Sequence, residues 1–165
     1  MAIADALLPE FDREMTTTRV LLERVPDDRL EWKPHAKSMS LGQLAAHVAT
    51  IPMWGHVAMT TLKFDLDSPD TRPSMTTRAE IVATFDRYAG NARAAIDGRN
   101  DADLLTPWSL TRGSDTLFSA PRAMVWRGFV LNHLIHHRGQ LSVYLRMQDV
   151  PIPSIYGPSA DENPF

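Results

Sequence analysis

The spacing of apolar residues along the chain predicts four helices. In the first, apolar side chains recur every three or four positions, at Leu7, Phe11, Met15 and Leu22 among others, which places them on one face. The last predicted helix is apolar on nearly all sides, which is typical of a helix buried in a bundle or shared with a partner subunit. The predicted helices cover about residues 2–24, 41–63, 77–97 and 121–147.

Two of these helices carry a clear start signal. Ser40 precedes the second helix and is followed three residues later by Gln43, as in a capping box. Thr76 or Thr77 caps the third helix, and Glu80 takes the capping-box position for Thr77. These signals fix where both helices begin.

The remaining segments are connections. Residues 64–74 are rich in Pro, Asp and Ser and predict a long exposed crossover, and the tail at about residues 149–165 contains four prolines and predicts an irregular segment across the surface. Residues 103–121 alternate apolar and polar positions, which leaves a short hairpin and an ordered loop both open. The sequence therefore predicts one all-α domain over residues 1–165, a four-helix bundle with a long crossover between helices 2 and 3.

Composition and charge exclude several classes of function. The 165 residues contain no cysteine, which excludes disulfides, a thiolate nucleophile and a cysteine-based zinc site. The net charge of −3 and the lack of a basic stretch interleaved with aromatic residues count against a nucleic-acid partner. The chain has no run of 18 apolar residues and starts without a basic leader region, so we expect a cytoplasmic protein with no membrane partner.

The histidines carry the candidate chemistry. His133 and His137 lie four residues apart, so a helix presents both from one face. Apolar neighbours on this face indicate that it points inward. His47 lies on the inner face of the second helix. Buried imidazoles need partners, which backbone carbonyls or a metal ion can provide. Three inward histidines together favour a metal with a position left for water. The chain has no HExxH motif, so no metalloprotease base is predicted.

The other three histidines and Arg138 are not expected to be ligands. His35 lies in a proline-flanked connector and is expected to be exposed, and His56 is nine residues after His47, which places it on the opposite side of the helix and excludes it as a ligand. His136 and Arg138 are expected to face the third helix or a partner.

Pro52 predicts a kink in the second helix, because its ring crowds the carbonyl of Val48 and it has no N–H to donate. This bend either adjusts how His47 faces the fourth helix or only curves the helix around the core.

Four further residues are candidates for the wall of a pocket. Trp54, Trp126 and Tyr144 either line it or pack in the core, the latter being the more common role for such residues. Gln140 is polar on an inward face and has two candidate partners, a ligand histidine or a substrate.

Three segments resemble the DinB / YfiT-like family of metal-dependent bacterial proteins. They are WKPHAKSMSLGQLAAHVA (32–49), FVLNHLIHHRGQLSVYLR (129–146), the most specific of the three, and VPIPSIYGPSADE (150–162). The resemblance implies a four-helix bundle with an unusual helix order and a homodimer. It also implies a divalent metal, nickel or zinc, held by one histidine of the second helix and an HxxxH pair of the fourth, which are His47, His133 and His137 here.

The resemblance implies two kinds of activity. The wider superfamily includes thiol-dependent S-transferases, such as mycothiol-dependent maleylpyruvate isomerase and bacillithiol transferases, in which a low-molecular-weight thiol is the cofactor. Other members are described as hydrolases or damage-inducible proteins. An open metal position suits both, since it can activate a thiol for transfer or a water for hydrolysis of a small-molecule substrate. The alternatives are a non-catalytic stress-response protein with a structural metal and a module that binds another macromolecule.

Overall fold

The computed structural model describes residues 2–69 and 73–164, and the chain is mostly helical with one small sheet. A single 3₁₀ turn, Asp27–Arg29, follows the first helix. In chain order the elements are α1 (Ile3–Leu22), α2 (Leu41–Thr50), α3 (Met53–Thr60), β1 (Lys63–Asp65), α4 (Arg78–Ile96), α5 (Asp101–Leu105), β2 (Pro107–Arg112), β3 (Asp115–Pro121), α6 (Arg122–Val125), a π-helical segment (Trp126–Asn132) and α7 (His133–Arg146).

Both predicted capping boxes are confirmed. The backbone N–H of Gln43 donates to Ser40 Oγ at 3.2 Å, and the backbone N–H of Ser40 donates to Gln43 Oε1 at 2.9 Å. Thr77 and Glu80 exchange the equivalent bonds at the start of α4, at 3.2 and 3.1 Å. These bonds satisfy N–H groups that the first helical turn leaves without a partner, so α2 and α4 begin at fixed positions.

The second predicted helix is two helices, and it ends before Lys63. The chain breaks after α2 at Ile51 and Pro52 and restarts as α3, so the kink predicted at Pro52 is confirmed as a break. Pro52 has a φ of −61°, which suits the start of α3, where its missing N–H costs little. Helix α3 ends at Thr60, and Lys63 already belongs to strand β1.

The pure all-α class is wrong, because three strands form a sheet in the order β1–β2–β3. Strands β2 and β3 form an antiparallel hairpin around Gly113 and Ser114, with Gly113 at a φ of +54°, a conformation that glycine adopts without a steric penalty. The hairpin resolves the choice left open for residues 103–121. Strand β1 pairs parallel to β2, with Phe64 opposite Leu110, inside the segment predicted as an exposed crossover. Residues 70–72 of that crossover lie outside the described residues.

The fourth predicted helix is continuous but changes its winding. It runs through α6, the π-helical segment and α7, and its core residues are fully buried: Val125, Trp126, Val130, Leu131, Leu134, Leu141 and Leu145. Burial, one of the two predicted explanations, therefore accounts for these positions, whereas Val143 and Met147 near the end of the helix are exposed. A π-helical segment inside an otherwise α-helical run is rare and often lies at a functional site. Here it ends at Asn132, one residue before His133.

The core lies where α1, α2, α3, α4 and the fourth helix meet. Trp126 is fully buried there, and its ring centroid is 5.1 Å from that of Phe11 in α1. Gly55 in α3 permits this packing, because a Cβ at that position would lie 2.8 Å from Cζ3 of Trp126. Burial of each such aromatic side chain stabilises the fold by about 1.5–3 kcal/mol.

The tail is irregular and lies across the surface, as predicted. It leaves α7 through Asp149, whose φ of +55° turns the chain back. Two ion pairs then hold it, one from Arg146 to Asp161 and one from Arg24 to Glu162, the latter at 2.6 Å. Within residues 2–69 and 73–164, no helix has both the length and the apolar character needed to cross a bilayer.

Candidate metal centre

Three histidines from two separate helices converge at one point. His47 comes from α2, and His133 and His137 come from successive turns of α7. Nε2 of His47 lies 3.2 Å from Nε2 of His133, and the ring centroids of His47 and His137 are 4.4 Å apart. One ring nitrogen from each of the three lies within 4.8 Å of the other two, and all three side chains are half-buried. This arrangement could hold a metal ion.

Hydrogen bonds from groups outside the cluster orient the rings of His137 and His133. Gln140 Oε1 lies 2.7 Å from Nδ1 of His137, and an amide oxygen can only accept, so Nδ1 carries the proton and Nε2 is left as the ligand atom. The side chain of His133 bonds to the backbone of Phe129, one turn earlier in the π-helical segment. Such partners fix the tautomer and the angle of a metal-binding imidazole.

The surroundings keep these rings uncharged. Burial lowers the pKa of His133 below its usual 6.5, and the nearby His137 and His136 lower it further. Burial also lowers the pKa of His137, partly offset by the hydrogen bond to Gln140. Near neutral pH both rings are therefore neutral, which is the protonation state that a metal requires of histidine. The donor set fits a divalent transition metal, for which imidazole is a good ligand.

Local sequence explains how the three rings reach this point. The Ser40 cap fixes the start of α2 seven residues before His47, and the break at Pro52 follows one turn after it. On the other side, the wider π-helical turns end at Asn132 and shift the register with which α7 begins. The four-residue spacing in α7 then brings His137 beside His133, with ring centroids 4.7 Å apart.

The other three histidines do not belong to the described cluster. His35 is exposed in the connector before α2, and its Nδ1 accepts from the backbone N–H of Lys37 at 3.1 Å. His56 is exposed on α3, in agreement with its exclusion as a ligand. His136 is also exposed, with its ring centroid 4.8 Å from that of His137.

The four predicted pocket-wall residues divide between wall, core and ring support. Trp54 lines a cavity of about 510 Å³ that also borders His133. Trp126 is a core residue, and Tyr144 packs edge to face with Trp32 at 5.6 Å. Gln140 bonds to a ring of the cluster, which was one of the two roles left open for it.

Arg138 is placed differently from the prediction. Its side chain is 1% exposed and points to α1, not to the third helix or outward. Its Nη2 lies 2.6 Å from Glu14 Oε2, and its Nη1 donates to Thr18 Oγ1 at 3.2 Å. The hydroxyl of Tyr156 in the tail donates to the same Glu14 carboxylate at 2.9 Å. One signal in the sequence could have indicated this contact: Glu14 is the one charged residue among the buried residues of α1 that the structure describes.

A second cavity, of about 550 Å³, borders the cluster from the side of His47. Its walls mix apolar and polar residues and come from α2, the connector before it and the segment before α4: Met39, Gln43, Ala46, Thr50, Pro73, Ser74 and Met75. A group held by the three histidines therefore has space near it on two sides.

Fold and site together define a mostly helical protein with a candidate three-histidine metal centre. The model of the DinB superfamily matches residues 10–141. Two Bacillus subtilis proteins are similar over most of their length: YrdA, 26% identical with 96% of this chain and 90% of YrdA covered, and YjoA, 25% identical with 88% and 91% covered.

Solved structures agree with these matches. A DinB-like protein from Bacillus cereus ATCC 10987 superposes with a TM-score of 0.72 at 25% identity, covering 92% of this chain and 97% of that one. The structure of Bacillus subtilis YjoA, also described as DinB-like, has the same fold, with a TM-score of 0.68 at 20% identity and 91% and 96% covered. The chain belongs to the DinB superfamily, and the resemblance found in its sequence is confirmed.

Proposed function

We propose that this protein binds a divalent metal, nickel or zinc, through His47, His133 and His137, and that it is a metal-dependent enzyme of the thiol-dependent S-transferase or hydrolase type. One observation carries the proposal: three imidazoles from two helices converge within 4.8 Å beside open cavities. Three histidines leave a position that a substrate can take, as in catalytic metal sites. When bound, the metal supplies Lewis acidity that activates a thiol or a water.

The chain's own residues then have separate tasks. The three histidines bind the metal, and Gln140 holds the His137 ring in the tautomer that presents Nε2. The bond to the backbone of Phe129 does the same for His133. The cavities on either side of the cluster admit a low-molecular-weight thiol, where one is used, and a small-molecule substrate.

Enzymatic turnover is tested with zinc-loaded and nickel-loaded protein. One assay follows thiol transfer to 1-chloro-2,4-dinitrobenzene with several low-molecular-weight thiols, and a second follows hydrolysis of 4-nitrophenyl acetate. We expect turnover in one of them that is lost in His133→Ala and kept in His56→Ala, the matched control on an exposed histidine. Equal rates in wild type and His133→Ala would contradict the enzyme proposal.

The alternative is a non-catalytic stress-response protein in which the metal is structural. It is favoured by the separation of the ligands, since a metal shared by His47 and His133 would join α2 to α7 across 86 positions of the chain. In that case chelation would lower the melting temperature strongly, because metal binding contributes directly to folding stability. The enzyme proposal predicts turnover in addition.

The proposal also includes the assembly that the resemblance implies, a four-helix bundle that forms a homodimer. Exposed apolar side chains near the end of the fourth helix support it as the dimer face: Val143 on α7 and Met147, one turn later and directly after α7, are more than half exposed. Sedimentation analysis tests this. We expect wild type to be dimeric and Val143→Glu to be monomeric, and a monomeric wild type would refute it.

A further inference from the structure

The cavity beside His133 has a distinctive lining. Its volume is about 510 Å³, which lies within the range of small-molecule sites. Four of its wall residues are large and apolar, and its polar groups are confined to one helix. The lining residues are Trp54, Leu66, Leu110, Gly128, Phe129, Asn132, His133 and His136.

One face of the fourth helix forms the floor of this cavity. Positions 128, 129, 132, 133 and 136 follow the spacing of a single helix face, which includes His133. The floor spans the junction between the π-helical segment and α7. A molecule in the cavity therefore lies directly against one of the three clustered histidines.

The walls are held in place by aromatic packing. Trp54 meets Phe129 edge to face at 6.1 Å, and both rings pack on the fully buried Trp108 at 6.4 and 6.2 Å. Edge-to-face contacts of this kind are favourable and fix ring orientation. Trp54 and Phe129 are only half-buried, so each ring keeps a side that faces the cavity.

The small sheet and the residue after β1 contribute the two remaining apolar wall residues. Leu110 lies on β2, and Leu66 directly follows β1, where its backbone N–H donates to the carbonyl of Thr111 at 2.9 Å. The parallel pairing of β1 with β2 thus adds two leucine side chains to the same lining. The cavity on the His47 side has no comparable wall, since polar side chains interrupt its lining.

We infer that this cavity binds the apolar body of the substrate, a flat ring of aromatic type, with the reacting end of the molecule directed to the metal at His133. The inference rests on the proposed function and names its substrate class. An uncharged ring gains by leaving water for a cavity with this lining, and the rings of Trp54 and Phe129 suit contact with another aromatic ring.

Gly128 provides a test that leaves the aromatic walls intact. A Cβ at this position meets no atom within 4 Å, so Gly128→Leu puts its side chain into open space that borders the cavity. Gly90 on α4 is the matched control, because it is also helical and also has no neighbour within 4 Å of an added Cβ, but it does not line the cavity. The same substitution there changes only helix composition.

The probe is Prodan, an uncharged naphthalene dye whose emission shifts to the blue in apolar surroundings. It is titrated into folded wild type, Gly128→Leu and Gly90→Leu, with metal content measured on the same samples. We expect one binding site in wild type, affinity at least about tenfold weaker in Gly128→Leu, and unchanged affinity in Gly90→Leu. Absence of binding to wild type, or equal binding by Gly128→Leu, would overturn the inference.

The two proposals fail in different ways. Protein that carries metal but binds no Prodan keeps the metal-dependent function and loses the substrate class inferred here. Protein that carries no metal loses the proposed function, and the inferred direction of the substrate toward a metal is lost with it, whatever the dye shows.

Discussion

Replacement of Gln140 by leucine tests how the cluster is prepared for a metal. The variant removes the acceptor 2.7 Å from His137 Nδ1 and keeps a side chain of similar size. Loss of such an outer hydrogen bond typically weakens metal binding by about 10–100-fold. Gln140 is exposed, so water can replace part of the bond, and we expect the lower end: about tenfold, or roughly 1.4 kcal/mol.

The change in the pKa of His137 favours metal binding in the variant, but it is too small to decide the change in affinity. The bond to Gln140 raises this pKa, so its removal lowers the pKa. Protons then compete less with the metal for the ring. Because the ring is already neutral near pH 7, this gain is small, and the loss of the fixed tautomer dominates.

The assay is a zinc titration against a chelating dye of known affinity, with Gln140→Glu as control. A carboxylate accepts the same hydrogen bond, so Gln140→Glu should bind zinc at least as tightly as wild type. Equal affinity in wild type and Gln140→Leu, with binding lost in His137→Ala, would refute the orienting role of Gln140.

Three further predictions concern packing, the buried ion pair and pH. Gly55→Ala should lower the free energy of unfolding in urea by about 1–3 kcal/mol, because its Cβ would lie 2.8 Å from the Trp126 ring. Gly90→Ala should raise it by about 0.5–1 kcal/mol, and equal stabilities of the two variants would contradict this. Glu14→Ala should lower the free energy of unfolding by about 3–5 kcal/mol, since it leaves the buried charge of Arg138 unpaired. A change below about 1 kcal/mol would refute this prediction. Metal content is measured after dialysis at values between about pH 7.5 and about pH 5. It should be unchanged at pH 6.5 and fall at lower pH, where His133 and His137, whose pKa values are lowered, become protonated. Loss of metal already above pH 6.5 would contradict those shifts.

Local signals predicted the helices well. The capping boxes at Ser40 and Thr77 and the kink at Pro52 depend on residues close together in the chain; both boxes are confirmed, and the kink is a full break between two helices. The hairpin of β2 and β3 was one of two alternatives left open, but strand β1 was missed because it is three residues long, lies next to a polar segment and pairs with a strand more than 40 positions away. No local pattern encodes such a partner.

The site shows the same division. His133 and His137 were identified by a spacing that any helix converts into proximity, and His47 by its inward face. The cavity beside them could not be predicted, because it depends on the sheet and on the π-helical segment. The role of Arg138 also depends on a contact with Glu14, 124 positions earlier in the chain.

Metal content is the most direct test of the central claim. Untagged wild type, purified without a nickel column, is compared by inductively coupled plasma mass spectrometry with His47→Ala, His133→Ala, His137→Ala and the control His56→Ala. We predict about one equivalent of nickel or zinc in wild type and in His56→Ala, and its loss in the other three variants. A folded wild type that carries no metal and does not change its melting temperature on addition of either ion would contradict the account.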